Sequence, residues 1–315
     1  MKQRKILILG AGGQIGVELT IALRAKYGKE NVIASDICGC PKILRGTGPY
    51  EEINAVSEGE VYNSVARNGI TEIYLLAAML SATGERDPHK AWQLNMGALL
   101  NVLEIAKEEK LKVFWPSSIA ACAPTSTVYG ISKYAGECWC QYYFDKHGVD
   151  VRSLRYPGLI SYKTKPGGGT TDYAIDIFHA ALDKRKYECF LKEDTMLPMM
   201  YMEDALRATL MLMDATQENI NNRMSYDVAG MSFTPVEIYE TIKGLCPTFE
   251  IEYRPDHRQK IAESWPRNID DHQARSDWGW RPSWSLLMMV NDMLVKLDEI
   301  KISELSNKLE IVGVL

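Results

Sequence analysis

The chain predicts an α/β fold: a doubly wound parallel sheet with helices on both faces, joined to a smaller, interleaved C-terminal lobe. Three observations lead there. Strand and helix patterns alternate over residues 5–158. The strand segments are near-continuous apolar runs rather than alternating ones, as strands covered on both faces require. The first strand also runs through a glycine-rich turn directly into the first helix.

The elements follow in order. "KILIL" (5–9) is the first strand, and "QIGVELTIALRAKYG" (14–28) repeats apolar residues at helical spacing. "NVIASD" (31–36) and "EIYLLAA" (72–78) are the second and third strands, and "AWQLNMGALLNVLEIAKE" (91–108) is a long helix. "KVFWPSS" (112–118) is the fourth strand. "GISKYAGECWCQYYFDKHG" (130–148) is a helix stopped by Gly148, and "DVRSLRYPG" (150–158) is a fifth strand. Beyond residue 158 the rhythm changes. "SYKTKPGGGTTDY" (161–173) is a polar, Gly-rich loop entering a helix near Asp172. Residues 173–184 and 203–215 have helical patterns, and "SYDVAG" (225–230) is a strand. Thr234 and Pro235 fit the N-cap and first position of a helix within 232–245. "FEIEYRP" (249–255) is a strand and 285–300 the last helix. The expected organisation is a dinucleotide-binding domain over 1–160, to which segments near 200–230 return. A substrate-binding lobe spans 161–300, interleaved with it, and 301–315 is a tail.

Composition narrows the function. With 46% hydrophobic and 24% charged residues among 315, the chain reads as a soluble globular protein. A net charge of -5 without a basic cluster argues against nucleic acid and against an anionic membrane surface. "ILIL" is too short for a secretory signal, and no stretch approaches the roughly 20 apolar residues of a membrane span. A cytoplasmic location is expected. Seven cysteines, an odd number, favour reduced thiols over a disulfide framework. Cys38 with Cys40 and Cys138 with Cys140 form C-x-C pairs, but C-x₂-C is the usual zinc spacing, and in a helix i and i+2 diverge. No metal is expected.

Two motifs carry chemistry. "GAGGQIG" sets Gly10, Gly13 and Gly16 at G-x-x-G-x-x-G spacing at the start of a helix, whose N-terminus offers N–H groups to a pyrophosphate. Asp36, twenty residues after Gly16, ends the second strand. A carboxylate there accepts both ribose hydroxyls and repels a 2′-phosphate, so NAD is favoured over NADP. The second motif is "YGISK": Tyr129 and Lys133 stand one helical turn apart. A free tyrosine titrates near 10, and a neighbouring ammonium lowers that value. Ser118, at the end of the fourth strand, is placed to hydrogen-bond a reacting oxygen. Alone, Y-x-x-x-K is more often a solvent-facing pair; after a dinucleotide fingerprint and four strands it reads as a proton-transfer site.

G-x-x-G-x-x-G, "LLAA" (75–78), Ser118, Y-x-x-x-K and "RYPG" (155–158), in that order, resemble the extended short-chain dehydrogenase/reductase superfamily. "LSATGERDPHKAWQLN" (80–95), "TVYGISK" (127–133), "KPGGGTTDYA" (165–174), "LPMMYMEDALRA" (197–208), "SWP" (264–266) and "ARSDWGWRP" (274–282) narrow the resemblance to the short-chain type of L-threonine 3-dehydrogenase. It runs over nearly the whole chain.

The resemblance implies a Rossmann-type domain with Gly10, Gly13, Gln14, Ile15 and Gly16 at the pyrophosphate, and Asp36 with Ile37 at the adenosine ribose. Ile53 packs on adenine beside Asn54, where the family more often has Asp. Leu76, Ala77 and Ala78 run under the nicotinamide half, Asn95 faces the cofactor, and Tyr156 with Pro157 walls the nicotinamide pocket. Ser81 and Gly169–Thr170–Thr171 contact the amino acid. Trp278 and Trp280 belong to the pocket wall or, more in keeping with their setting, the core. The implied reaction is NAD-dependent oxidation of L-threonine by a homodimer paired through helices 91–108 and 130–148. A nucleotide-sugar epimerase or dehydratase, with Arg254, Arg258, Arg267 and Arg275 as diphosphate partners, and a non-catalytic NAD-binding scaffold are the alternatives. The chain departs from the family between Ser118 and Tyr129, where ten residues replace a longer loop, and at Cys122 and Ala123, where the family has an aromatic–Gly pair.

Overall fold

The computed structural model describes residues 4–163 and 169–311. The first half contains β1 (Ile6–Leu9), α1 (Gln14–Tyr27), β2 (Val32–Asp36), β3 (Tyr50–Glu52), α2 (Glu58–Asn68), β4 (Glu72–Leu75), α3 (Ser81–Gly84) and α4 (Pro88–Glu109). It continues through β5 (Lys112–Phe114), β6 (Ser117–Ser118), α5 (Val128–His147), β7 (Val151–Arg152), β8 (Leu154–Tyr156) and β9 (Gly158–Ile160). The second half adds α6 (Tyr173–Leu182), β10 (Tyr187–Cys189), β11 (Leu197–Tyr201), α7 (Met202–Asp214), β12 (Tyr226–Asp227) and β13 (Met231–Phe233). It ends with α8 (Pro235–Leu245), β14 (Ile251–Tyr253), α9 (Arg258–Glu263), α10 (His272–Trp278) and α11 (Leu286–Ile311).

The main sheet is parallel, with order β3-β2-β1-β4-β5-β7. It extends further than six strands. β6 pairs with β8 in the register that β5 keeps with β7, and β12 pairs outside β8. The interruption falls at Pro116, which has no N–H to give the ladder. Alternation within the strands explains the continuous apolar runs. Ile6 and Ile8 face a core shared with Leu19, Leu23 and Leu212 from α1 and α7. Leu7 and Leu9 face one shared with Val61, Leu99, Val102 and Cys140 from α2, α4 and α5. A third core, including Phe178, Ile238, Val290 and Met293, holds the second lobe together.

Helix ends follow local chemistry. Gly148 closes α5 in the left-handed region at φ 69°, and Thr234 with Glu237 forms a reciprocal capping box ahead of Pro235 in α8. Several elements differ from the sequence reading. β3 and α2 occupy a stretch without a visible pattern, since α2 buries only Val61, Ser64 and Val65. Strands β9, β10, β11 and β13 are short, and β12 covers only the start of 225–230. The last helix does not stop at 300; α11 runs to Ile311, so most of the expected tail is helical. Trp280 is fully buried, with its indole N–H on the Ala229 carbonyl, and Trp278 packs beside it; both are core residues.

Candidate active site

Helix α1 meets β1 through a turn that only glycine permits. Gly10 has φ +93°, and a Cβ there would lie 2.5 Å from the Ala77 nitrogen; one at Gly16 would lie 2.2 Å from the Gly10 carbonyl oxygen. Both close approaches are internal to the fold. Gly13 is different: a Cβ there would meet only the Gly10 oxygen, at 3.6 Å, so the space in front of α1 stays open. No side chain caps this helix N-terminus, and the Gln14 amide nitrogen beside it is buried without a hydrogen-bond partner. Asp36 is fixed by the β1–α1 turn and by its own loop, one carboxylate oxygen accepting from the Gly12 N–H at 2.9 Å and the other from the Cys38 N–H at 3.4 Å. An open anion-binding helix end, an orphaned amide and an oriented carboxylate at the end of β2 fit a dinucleotide with a free 2′-hydroxyl.

Two adjoining cavities form one groove because they share Leu76 and Ala78. One end is lined by Gly10, Gly13, Asp36, Ile37, Ile53 and Asn54, with Ala77 between the halves. The other carries Gln14, Ile15, Ser118, Tyr129, Lys133, Tyr156 and Pro157, with Ser81 and Gly169, Thr170 and Thr171 opposite. Two expected contacts are not in the wall. Gly16 lies beneath it, packing α1 on the turn. Asn95 does not face the groove: its side chain accepts from the Met79 N–H at 2.8 Å and donates to the Met79 carbonyl and the Ser132 hydroxyl, both at 3.1 Å. These bonds brace the wall from behind. Tyr156 offers its ring alone, because its hydroxyl bonds Thr209 behind the sheet.

Tyr129 and Lys133 lie on the first two turns of α5. Thr127 caps this helix, accepting from the Gly130 N–H at 3.0 Å, while Glu85 accepts from the Val128 N–H at 2.7 Å. Burial pushes the Tyr129 hydroxyl up to about 12, a rise offset in part by its hydrogen bond with Ser118. The Lys133 amine is buried under the Trp115 ring, 4.5 Å from its centroid, and donates to the Pro116 carbonyl at 2.5 Å. Burial pulls its ammonium down to about 7, opposed by Cys140 and Glu137. Glu137, one turn further and fully buried, accepts from Ser117 Oγ at 2.5 Å and from both Arg155 Nε and Nη2, at 2.7 and 2.5 Å. This network ties the strand bearing Ser118 to the helix bearing Tyr129.

The ten residues between Ser118 and Tyr129 suffice because they coil rather than extend. Ile119–Cys122 and Pro124–Ser126 are two 3₁₀ turns lying against Gly130, where a Cβ would stand 2.8 Å from the Ala120 oxygen and 3.0 Å from that of Pro124.

Sequence reasoning missed Leu80, Asp172 and Trp265 in the wall. "SWP" was a visible signal for Trp265, though without a role. Of the arginines considered for a diphosphate, Arg254 pairs with Glu252 and Glu188, Arg258 with Asp256 and Arg275 with Asp271. Arg267 lines a separate cavity that shares only Trp265 with the groove. Among the described residues no cluster of three His, Cys, Asp or Glu side chains is arranged to hold a metal ion, and no helix is long and apolar enough to cross a membrane.

Comparison with known proteins agrees with this geometry. The GalE-like L-threonine dehydrogenase from Cupriavidus necator, in its holo form, superposes with a TM-score of 0.91 at 56% identity, covering 93% of this chain and 99% of that one. The mitochondrial L-threonine 3-dehydrogenase of Bos taurus is 43% identical over 307 residues, spanning 93% of this chain and 82% of its own. A monomeric L-threonine 3-dehydrogenase from a metagenome, in its apo form, is 43% identical with a TM-score of 0.89, covering 94% of this chain and 99% of that one. A family model described as the NAD dependent epimerase/dehydratase family matches residues 6–229, and with relatives this similar over nearly the whole length, the chain belongs to that family.

Proposed function

We propose that the protein oxidises L-threonine at its β-carbon to 2-amino-3-ketobutyrate, with NAD as the hydride acceptor. The observation that carries this reading is the composition of the wall around Ser118, Tyr129 and Lys133. Among its described residues the only cation is Lys133, already engaged with the Pro116 carbonyl, and the only carboxylate is Asp172. The diphosphate of a nucleotide sugar calls for several cationic partners; small polar groups such as Ser81, Thr170 and Thr171 suit an amino acid. The similarity to L-threonine dehydrogenases over most of the chain supports the same substrate.

In this reading Tyr129 Oη accepts the proton of the substrate β-hydroxyl while the Cβ–H electron pair leaves toward the cofactor. Ser118 donates to the substrate oxygen as negative charge develops on it. The Lys133 ammonium, one turn from Tyr129, favours the phenolate. Leu76, Ala77 and Ala78 line the groove, and the two alanine methyls let a flat ring approach closely. We also propose a homodimer through α4 and α5.

The deciding measurement is NADH absorbance after mixing protein, NAD⁺ and L-threonine, with Tyr129→Phe alongside. NADH from wild type, a loss of roughly 10²–10⁴-fold in the variant, and no competition by UDP-sugars are expected. NAD⁺ binding without NADH, or tight UDP-sugar binding, would overturn the proposal.

A further inference from the structure

Helix α1 carries, two residues past Gly16, a carboxylate that the nucleotide motif does not use. Glu18 is 2% exposed. One of its oxygens accepts from the Ser161 hydroxyl, itself fully buried; the other lies 3.0 Å from the Lys163 ammonium. Ser161 Oγ in turn accepts from the Lys163 backbone N–H at 3.1 Å, so one buried carboxylate fixes two residues and the turn between them. Burial pulls the Lys163 ammonium down, yet the contact with Glu18 outweighs it and leaves the value raised. A second carboxylate, Glu203 on the first turn of α7, is raised by burial and further by Glu18, and one of its oxygens is buried without a partner. Lys163 therefore supplies positive charge where a buried carboxylate, Glu18, and a half-buried one, Glu203, converge.

The location gives this cluster its meaning. Residues 161–163 follow β9, whose Gly158 and Leu159 line the substrate end of the groove. Gly158 fits tightly under Thr171, since a Cβ on it would stand 2.5 Å from the Thr171 methyl. The substrate wall is thus rooted, through Ser161 and Lys163, on the same helix whose N-terminus faces the pyrophosphate end. An ion pair with one buried partner contributes little net stability, but removing the exposed partner leaves the buried charge uncompensated, so its main consequence is geometric.

We propose that Glu18 is a positioning residue: through Lys163 and Ser161 it fixes the substrate wall against the nucleotide-binding helix, and substrate affinity depends on it while NAD affinity does not. The proposal rests on the threonine reading for its kinetic arm. Lys163→Met and Glu18→Gln should each raise KM for threonine about 5- to 20-fold with kcat and the calorimetric NAD⁺ Kd within about twofold of wild type. The double variant should be no worse than the poorer single one, as for two partners of one interaction. Because Glu18→Gln alters a buried site, Lys163→Met, at a partly exposed position, keeps the test valid if the first variant fails to fold. Hydrogen exchange over 158–163 supplies an arm independent of turnover, and faster exchange in Lys163→Met is expected. An unchanged threonine KM with unchanged exchange, or an NAD⁺ Kd weakened as much as the threonine KM, overturns the proposal. Wild-type protein that turns over no threonine fails the substrate reading instead, and the exchange arm still decides the tether.

Discussion

At Lys133 a single amine connects stability and catalysis. In the unfolded chain it titrates at the ordinary lysine value of 10.5, whereas in the folded, ligand-free protein burial brings it to about 7. Between those values the unfolded state carries a proton that the folded state has released, so ligand-free stability must rise with pH across about 7 to 10.5. Below pH 7 both states are protonated and the full cost of a buried ammonium is present. Denaturant unfolding at pH 7, 8 and 9 should show this rise, approaching about 1.4 kcal/mol per unit where the difference in bound protons is one, and Lys133→Met should remove that contribution. A wild-type slope identical to that of the variant would mean that the amine stays charged. Tyr129 moves the opposite way, to about 12 in the ligand-free site, so its phenolate is scarce at neutral pH. Turnover should therefore climb from pH 6 to 9, and because Tyr129 and Lys133 are neighbours the apparent value belongs to the pair. A flat profile would remove Tyr129 from the role of base.

The glycines of the β1–α1 turn separate folding from binding. Gly16→Ala places a methyl 2.2 Å from a carbonyl oxygen and should cost stability, read as a lower Tm. Gly13→Ala meets nothing closer than 3.6 Å, so Tm should hold while NAD⁺ Kd rises about tenfold or more, because the methyl occupies the space left for the ligand. Equal Tm losses in both variants would contradict this division. Sequence reading reached the turn, α1, α4 and α5, since long periodic helices and a glycine spacing are written locally. It did not reach β3 or α2, whose apolar stripe is only a few residues wide, nor the two 3₁₀ turns before Tyr129. There the chain showed only a short gap, and the feature that makes it workable is Gly130, whose lack of a side chain leaves room for the Ala120 and Pro124 carbonyls. Asn95 shows the same limit from the other side. Its position beside the groove was legible, but its use by Met79 and Ser132 depends on a loop sixteen residues earlier and a helix 37 residues later.

On the scale of the whole molecule, the outer face of α4 and α5 remains unaccounted for within one chain. Ile131, Tyr134, Cys138 and Tyr142 recur at helical spacing along α5 and are all exposed, joined by Trp139 and by Trp92 of α4. The aromatic residues among them are 37–46% exposed. The inner faces of the same helices are fixed: Tyr143 hydrogen-bonds Glu104 across the pair, and Cys140, Leu99 and Val102 fill the core. Trp139 and Tyr142 meet edge to face with centroids 5.6 Å apart, giving a pre-ordered aromatic surface that loses little side-chain freedom on association. A second copy related by a two-fold axis would place the same two-helix surface on itself, making a four-helix contact. Sedimentation at micromolar concentration should then give a dimer, and Tyr134→Glu with Tyr142→Glu should shift it to monomer. Neither residue lines the groove, so NAD⁺ binding should stay within about twofold. The monomeric relative makes the contrary result concrete. A wild-type monomer at that concentration would mean that two helices can carry this aromatic face to solvent, and that α5 holds Tyr129 in place by the Glu85, Glu104 and Glu137 contacts of its own chain alone.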